Sequence, residues 1–279
     1  MSPRSSARTW GWRDFVDAVN AVTSLQGRWL YRGALKHWGH KTSLERVCKA
    51  WNIPLRSARK MEFRLVREFQ RHPEVRERLL DPQDYLGWLA LMQHHGAPTR
   101  LLDWTYSPFV AAYFAFDALF ADSRRPEQKD AHAVIWALDI DWLTRRIRRR
   151  LSARDWGLYQ KKDSQSFARL FVKRRPPLRF LGTATPIFLN ERLSVQQGVF
   201  LCPGDVSASW YDNLAALAGA SRRPRIRPFV MSRDAMEDAF RGLARMNVTA
   251  RSLFPGLDGY AKSIAHRARE LWETPISGD

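Results

Sequence analysis

A chain of 279 residues, 45 % hydrophobic and 12 % aromatic, is long enough to bury a sizeable core and reads as a globular protein. Its 46 Lys and Arg outweigh 28 Asp and Glu, and the net charge of +18 points to a polyanionic partner such as nucleic acid. Two cysteines far apart in sequence argue against a disulfide framework. No apolar run approaches the ~18 residues a membrane span needs, so the expectation is a cytoplasmic protein without a membrane partner.

In chain order, the first predicted element is a helix over "WRDFVDAVNAVTSL". Trp12, Phe15, Val16, Val19 and Val22 recur at helical spacing, and the helix should end near Gly27. "RWLYRG" reads as a strand that stops at Gly33. Residues 56–71 form a basic helix with Met61, Leu65 and Phe69 on one face. The next helix takes Asp81 as its cap and Pro82 as its first residue, carries Tyr85, Trp88, Leu89 and Met92 as its stripe, and stops at Gly96. After "APTRLLDWTY", Ser107 and Pro108 open the helix "PFVAAYFAFDALF", apolar nearly all round and therefore buried. "HAVIWALDI" suits a central strand. Residues 141–180, with "LTRRIRRRLSARD" and "KRRPPLR", are predicted to be an insertion or exposed basic arm. Short strands return at "TPIFLN", "GVFLC" and "RIRPFVMS". Helices over 233–246 and 258–272 flank "TARSLFPGLDGY". This order predicts an α+β fold rather than a doubly wound sheet, and no repeat or linker divides the chain.

Several polar residues interrupt this apolar pattern. Arg32 stands at the end of a strand before Gly33, where it can hold a phosphate or carboxylate, or be one surface Arg among many. His94 and His95 end a helix and complement its dipole. They point to different faces and lack further ligands at zinc spacing, so no metal site is expected. Thr99, Arg100, Asp103, Trp104 and Thr105 sit between two buried helices. Asp103 is either a general base, an orienter of Arg100 or Arg32, a brace for a helix N-terminus, or half of a buried Arg–Asp pair holding the turn. Glu191, Arg192, Gln196 and Gln197 precede a strand, where side chains often face a cleft. A Gly-rich phosphate loop, a nucleophile elbow and a paired-carboxylate pattern are all missing.

Together these segments resemble the FRG-domain family, named for a Phe/Tyr-Arg-Gly motif. The matching text is "YRG" at 31–33, "LMQHHGAPTRLLDWTYSPFVAAYFA" at 91–115, "RLSVQQGVF" at 192–200 and "LFPGLDG" at 253–259. The resemblance implies an N-terminal helical segment over 1–27 and an FRG domain over 28–262, with the basic insertion at about 141–180. The end of the last helix and a tail then occupy 263–279.

A more distant similarity, to the ADP-ribosyltransferase layout, implies a single domain with a mixed or antiparallel split sheet flanked by helices, and NAD as substrate. It implies catalytic roles for Arg32, Asp103 and Gln196. NAD contacts would come from Tyr31, Arg32, Gly33, His94, His95, Thr99, Arg100, Trp104, Thr105 and Gln197, with Tyr113 or Phe114 packing behind. The departure is Gln196 or Gln197 where that layout has a catalytic Glu; an amide can hydrogen-bond but supplies no charge, and Glu191 is offset by five residues. The functional expectation is an ADP-ribosyltransferase-like enzyme or NAD glycohydrolase. A bacterial toxin or phage-defence effector acting on a nucleic-acid-associated target fits that family, and a protein partner is left open. The alternative is a non-catalytic nucleic-acid-binding module whose central motif is structural.

Overall fold

The computed structural model describes residues 9–24, 28–35, 39–76, 81–122, 132–186, 191–218, 225–268 and 272. The chain opens with β1 (Thr9–Trp10), α1 (Trp12–Ser24), β2 (Trp29–Leu35), α2 (Ser43–Ala50), α3 (Ala58–Gln70), α4 (Pro73–Arg76) and α5 (Tyr85–His94). It continues with β3 (Leu102–Thr105), α6 (Pro108–Asp122), β4 (Ala133–Asp139), α7 (Ile140–Arg150), α8 (Ala153–Lys161) and α9 (Ser164–Phe167). A π-helical turn (Ala168–Lys173) leads to β5 (Leu181–Ala184), α10 (Glu191–Val195), β6 (Gly198–Pro203), α11 (Trp210–Ala218) and β7 (Ile226–Met231). The last elements are α12 (Met236–Arg245), α13 (Ala250–Leu253) and α14 (Leu257–His266).

Among the described residues the strands form one seven-stranded mixed sheet, in the order β1-β7-β4-β2-β3-β6-β5. Only β1 and β7 run parallel; the other neighbours are antiparallel. The expected α+β class holds. Both faces are covered, which explains why β4 reads as a continuous apolar run. Leu30 and Leu138 face a core shared with α5, α7 and α11, whereas Tyr31, Leu35, Ile135 and Ala137 face one shared with α1, α6 and α12. That alternation is the two-residue period of a strand.

The sheet is nearly parted in its middle. β2 pairs with β4 through seven residues and β3 pairs with β6 through four, but β2 meets β3 only at Tyr31 and Thr105. One half-sheet, β1-β7-β4-β2, is thus joined to another, β3-β6-β5, by a single rung. Beyond that rung the strands diverge, and Arg32 spans the opening by donating from Nη1 to the Asp103 carbonyl at 2.7 Å.

Several sequence-based expectations need correction. β2 does not stop at Gly33; Ala34 and Leu35 still pair with Val134 and Ala133. Gly33 is needed for close packing instead, because a β-carbon there would overlap the backbone of Ala111 and Ala115 in α6. α5 starts at Tyr85, capped by Asp84 (Oδ1 accepts from the Gly87 N–H at 2.8 Å), while Asp81 uses its carbonyl to hold the Trp88 indole N–H at 2.9 Å. Gly96, at φ +78°, ends the helix region as expected. In α3 the row Met61, Leu65 and Phe69 is only half-buried, and the deep row is Ala58, Glu62 and Val66. A carboxylate can sit in that row because Arg100 neutralises it.

Residues 141–180 are not an exposed arm. They form α7, α8, α9 and the π-helical turn, and Leu143, Ile147, Leu151, Leu170, Phe171 and Phe180 enter the larger core. Their arginines line the outer side of α7, which hid the buried row from a reading of charge. β5 lies just before "TPIFLN": Thr185 and Pro186 follow the strand, and 187–190 fall outside the described residues. The 233–246 helix begins with a 3₁₀ turn, Arg233–Ala235, before α12. The last helix begins at Leu257 and ends at His266; of its expected stretch to 272, residues 269–271 lie outside the described set, as does the expected end of α1 near Gly27. No described helix is long and apolar enough to cross a membrane.

Candidate functional site

A cavity of about 420 Å³ occupies the opening between β2 and β3. Its walls come from α5 (Ala90, Gln93, His94), α6 (Ala111, Phe114, Asp117, Ala118) and α10 (Arg192, Leu193) with Gln196 just after it, and its floor from the diverging strands. Of the sequence-predicted residues, Tyr31, Arg32, Gly33, His94, Asp103, Trp104, Thr105 and Gln196 line it. His95, Thr99, Arg100 and Gln197 do not.

Arg32 is half-buried, and only part of its donor set is used. Nη1 holds the Asp103 carbonyl, while Nε is buried with no partner among the described residues. Burial pushes its pKa down to about 10, against the pull of the Asp103 carboxylate, so it stays cationic at neutral pH. Asp103 itself presents an exposed carboxylate. Its Oδ2 accepts from Gln93 Nε2 at 2.8 Å, and Oδ1 has no hydrogen bond among the described residues.

Gln93 is in turn held by Thr99, whose hydroxyl donates to Gln93 Oε1 at 2.5 Å. The Thr99 N–H donates to Ser43 Oγ at 2.9 Å, so a relay from α2 through the turn fixes the amide that grips Asp103. Beside it, Tyr31 has a buried hydroxyl without a partner among the described residues, and burial pushes its pKa up to about 12.

Arg100 proves to be structural. It is fully buried against Glu62: Nε donates to both carboxylate oxygens at 2.8 and 2.9 Å, Nη2 donates to Oε2, and Nη1 holds the Phe171 carbonyl at 2.8 Å. It therefore neither pairs with Asp103 nor reaches the cleft. Thr99 is also fully buried and acts only through Gln93. Gln197 is an exposed residue at φ +47° whose carbonyl accepts from the Tyr106 N–H, so it supports the strand junction. The His94 and His95 rings lie at 83° to each other, and only His94 turns to the cleft.

Gln196 has a double tie. Its backbone carbonyl accepts from the Thr105 hydroxyl at 2.7 Å, and its Nε2 donates to the Leu253 carbonyl at 3.0 Å. The segments "DWT", "RLSVQQGVF" and "LFPGLDG" therefore meet at one residue. Glu191 is exposed at the start of α10 and does not line the cleft. Tyr113 packs behind Phe114, ring centroids 5.6 Å apart, and burial with the nearby Asp117 charge raises its pKa.

Sequence reasoning missed three features. Gln93 was read as part of a helix ending. Asp117 was absorbed into a core helix, yet it lines the cleft and binds Lys262 Nζ at 2.6 Å and His266 Nε2 at 3.1 Å. Those two partners hold its carboxyl below the usual range despite burial, and a carboxylate in the middle of an apolar helix was the available signal. Third, His40 is fully buried in an aromatic box made by Trp136, Trp210, Trp104 and Tyr211, with ring centroids 4.4, 4.6, 5.5 and 5.6 Å away. Burial, aided by the Arg32 charge, pushes its pKa down to about 3, so it is neutral.

Residues 27–124 match the family model of the FRG domain. The match runs from β2 through α6 and so contains the "YRG" strand, the α5–β3 turn and the helix that packs on Gly33. Over this stretch the resemblance read from the motifs is a family match, and α10 and the start of β6 complete the cleft from beyond it. Neither the curated proteins nor the solved structures gave a significant match.

Proposed function

We propose that the cleft binds a nucleotide of the NAD type and that the protein is an ADP-ribosyltransferase-like enzyme or NAD glycohydrolase. One observation carries this reading: Arg32, Asp103 and Gln196, from three distant segments, line a single cavity where the two half-sheets part. Its volume of about 420 Å³ lies in the range of small-molecule sites, roughly 300–1,000 Å³. Arg32, whose Nη2 makes no hydrogen bond among the described residues, supplies a polar contact, and Ala111, Phe114 and Ala118 supply an apolar wall.

With NAD as substrate, nicotinamide leaves with the electrons of the glycosidic bond, and positive charge develops on the ribose. Asp103 is the anionic group that stabilises this charge, held in place by Gln93. Asp117 is already matched by Lys262 and His266, and Gln196 is tied to α13. That division of roles answers the missing Glu: the carboxylate comes from β3 instead of the α10–β6 loop. Water or a macromolecular nucleophile then bonds to the ribose carbon and loses a proton. We read the site of action as the cytoplasm, on the two buried free thiols Cys48 and Cys202.

The test is thermal melting with NAD together with a nicotinamide-release assay. Stabilisation of the wild type, no response in Arg32→Ala, and loss of release in a folded Asp103→Asn support the reading. No shift and no release overturn it. A second reading, nucleic-acid binding, is favoured by the exposed Arg145, Arg148, Arg149 and Arg150 on α7. Tight salt-dependent RNA or DNA binding without an NAD response selects it.

A further inference from the structure

The cleft holds a second arginine to which the family resemblance assigns no role. Arg192 of α10 lines the cavity and stacks its guanidinium on Phe254, 4.6 Å from the ring centroid. Its guanidinium makes no hydrogen bond and no ion pair among the described residues. A guanidinium stacked by its face has its plane fixed, and its N–H donors stay free at the edge. Lys262 approaches the same ring at 5.1 Å while it binds Asp117. Since Lys262 and His266 already match the Asp117 charge, Arg192 is surplus positive charge within the cavity.

Arg32 is poorly suited to a diphosphate. One of its terminal nitrogens is committed to the Asp103 carbonyl and its Nε is buried, so it cannot offer a full fork. Arg192 can.

On the reading that the cleft takes a nucleotide, we infer that Arg192, stacked on Phe254, is the residue that grips the ligand's diphosphate, whereas Arg32 serves the end of the ligand beside Asp103. The ligand class is then a nucleoside diphosphate derivative, seated with its phosphates toward α10 and α13. Nothing in this assignment requires bond cleavage; it concerns binding alone.

The experiment is calorimetric titration of the full chain with three probes: ADP-ribose, inorganic pyrophosphate, and nicotinamide riboside, which has no phosphate. The inference expects Arg192→Gln to weaken ADP-ribose and pyrophosphate by about tenfold or more and to leave nicotinamide riboside within about twofold. Arg192→Lys, which keeps the charge and loses the fork, should fall between the two and guards against misfolding of the first variant. Arg32→Met should show the opposite pattern, losing nicotinamide riboside more than pyrophosphate. Unchanged ADP-ribose affinity in Arg192→Gln, or equal weakening of all three probes, overturns the assignment. If neither ADP-ribose nor nicotinamide riboside binds the wild type, the underlying nucleotide reading fails, and pyrophosphate alone decides for Arg192. Pyrophosphate binding lost in Arg192→Gln then supports an oxyanion site, and no pyrophosphate binding to the wild type removes it.

Discussion

Arg32 and Arg100 come from one family-matched stretch, and each stands within a few residues of the same half-sheet junction, yet their surroundings differ completely. Arg100 is sealed from solvent and its donors are taken up by Glu62 and the Phe171 carbonyl. Arg32 borders a cavity, uses one terminal nitrogen on a carbonyl and keeps a buried Nε unpartnered. A saturated guanidinium has no capacity for a ligand and works as a rivet between α3, the α5–β3 turn and the π-helical turn. An unsaturated one retains that capacity. Asp103 and Glu62 repeat the contrast on the acidic side: one carboxylate has a free oxygen in a cleft, and the other is fully engaged.

The contrast breaks most sharply in stability. Glu62→Gln or Arg100→Met strands a buried charge and should cost about 3–5 kcal/mol in urea unfolding. The double change Glu62→Leu with Arg100→Met should recover most of that loss, because no charge is left alone. Next comes Gly33→Ala, which forces a methyl against the α6 backbone. It should cost about 1–3 kcal/mol or more, and it should narrow the cleft so that ligand binding falls with stability.

Arg32→Met sharpens the comparison from the other side. Stability should change by about 1 kcal/mol, the scale of one hydrogen bond, while the nucleotide-dependent rise in melting temperature disappears. A smaller effect is expected from Gln93→Leu, which frees Asp103 without emptying the cleft: nicotinamide release should slow with KM nearly unchanged, measured in steady state. The last is a pH effect, absent at neutral pH. His40 has a folded-state pKa of about 3 against an ordinary 6.5, so the unfolded chain takes up its proton first as pH falls. Its contribution is complete above pH 6.5 and is lost as pH drops from 6.5 toward 3. His40→Leu should flatten the pH slope of unfolding free energy across that window, whatever its effect at neutral pH.

The local parts of the fold were legible. The α6 helix announced itself by its apolar run, and Ser107 does cap it, its Oγ accepting from the Val110 N–H at 3.2 Å. β4 and Gly96 were equally plain. The helices over 141–180 were not, because exposed arginines outnumber the buried row of Leu143, Ile147 and Leu151 on the same stretch. In the candidate site, the motif residues Arg32, Asp103 and Gln196 could be found from the text, whereas their partners could not. Glu62 lies 38 residues from Arg100, and Lys262 lies 145 from Asp117. No periodicity or capping rule connects residues at such separations; only the closed fold does. The family resemblance put Arg100 and Thr99 at the ligand beside Asp103, and the turn before β3 buries them instead.

The lone rung between Tyr31 and Thr105 gives this sheet edges in its interior. Past the rung, β2 and β3 each run without the other, as strands at the rim of a sheet do. Rim strands invite pairing with foreign chains and need protection. Here α5 and α6 wall the gap on either side, so a small molecule can enter where another strand cannot. The protein thereby carries two strand edges at its centre that its own helices protect.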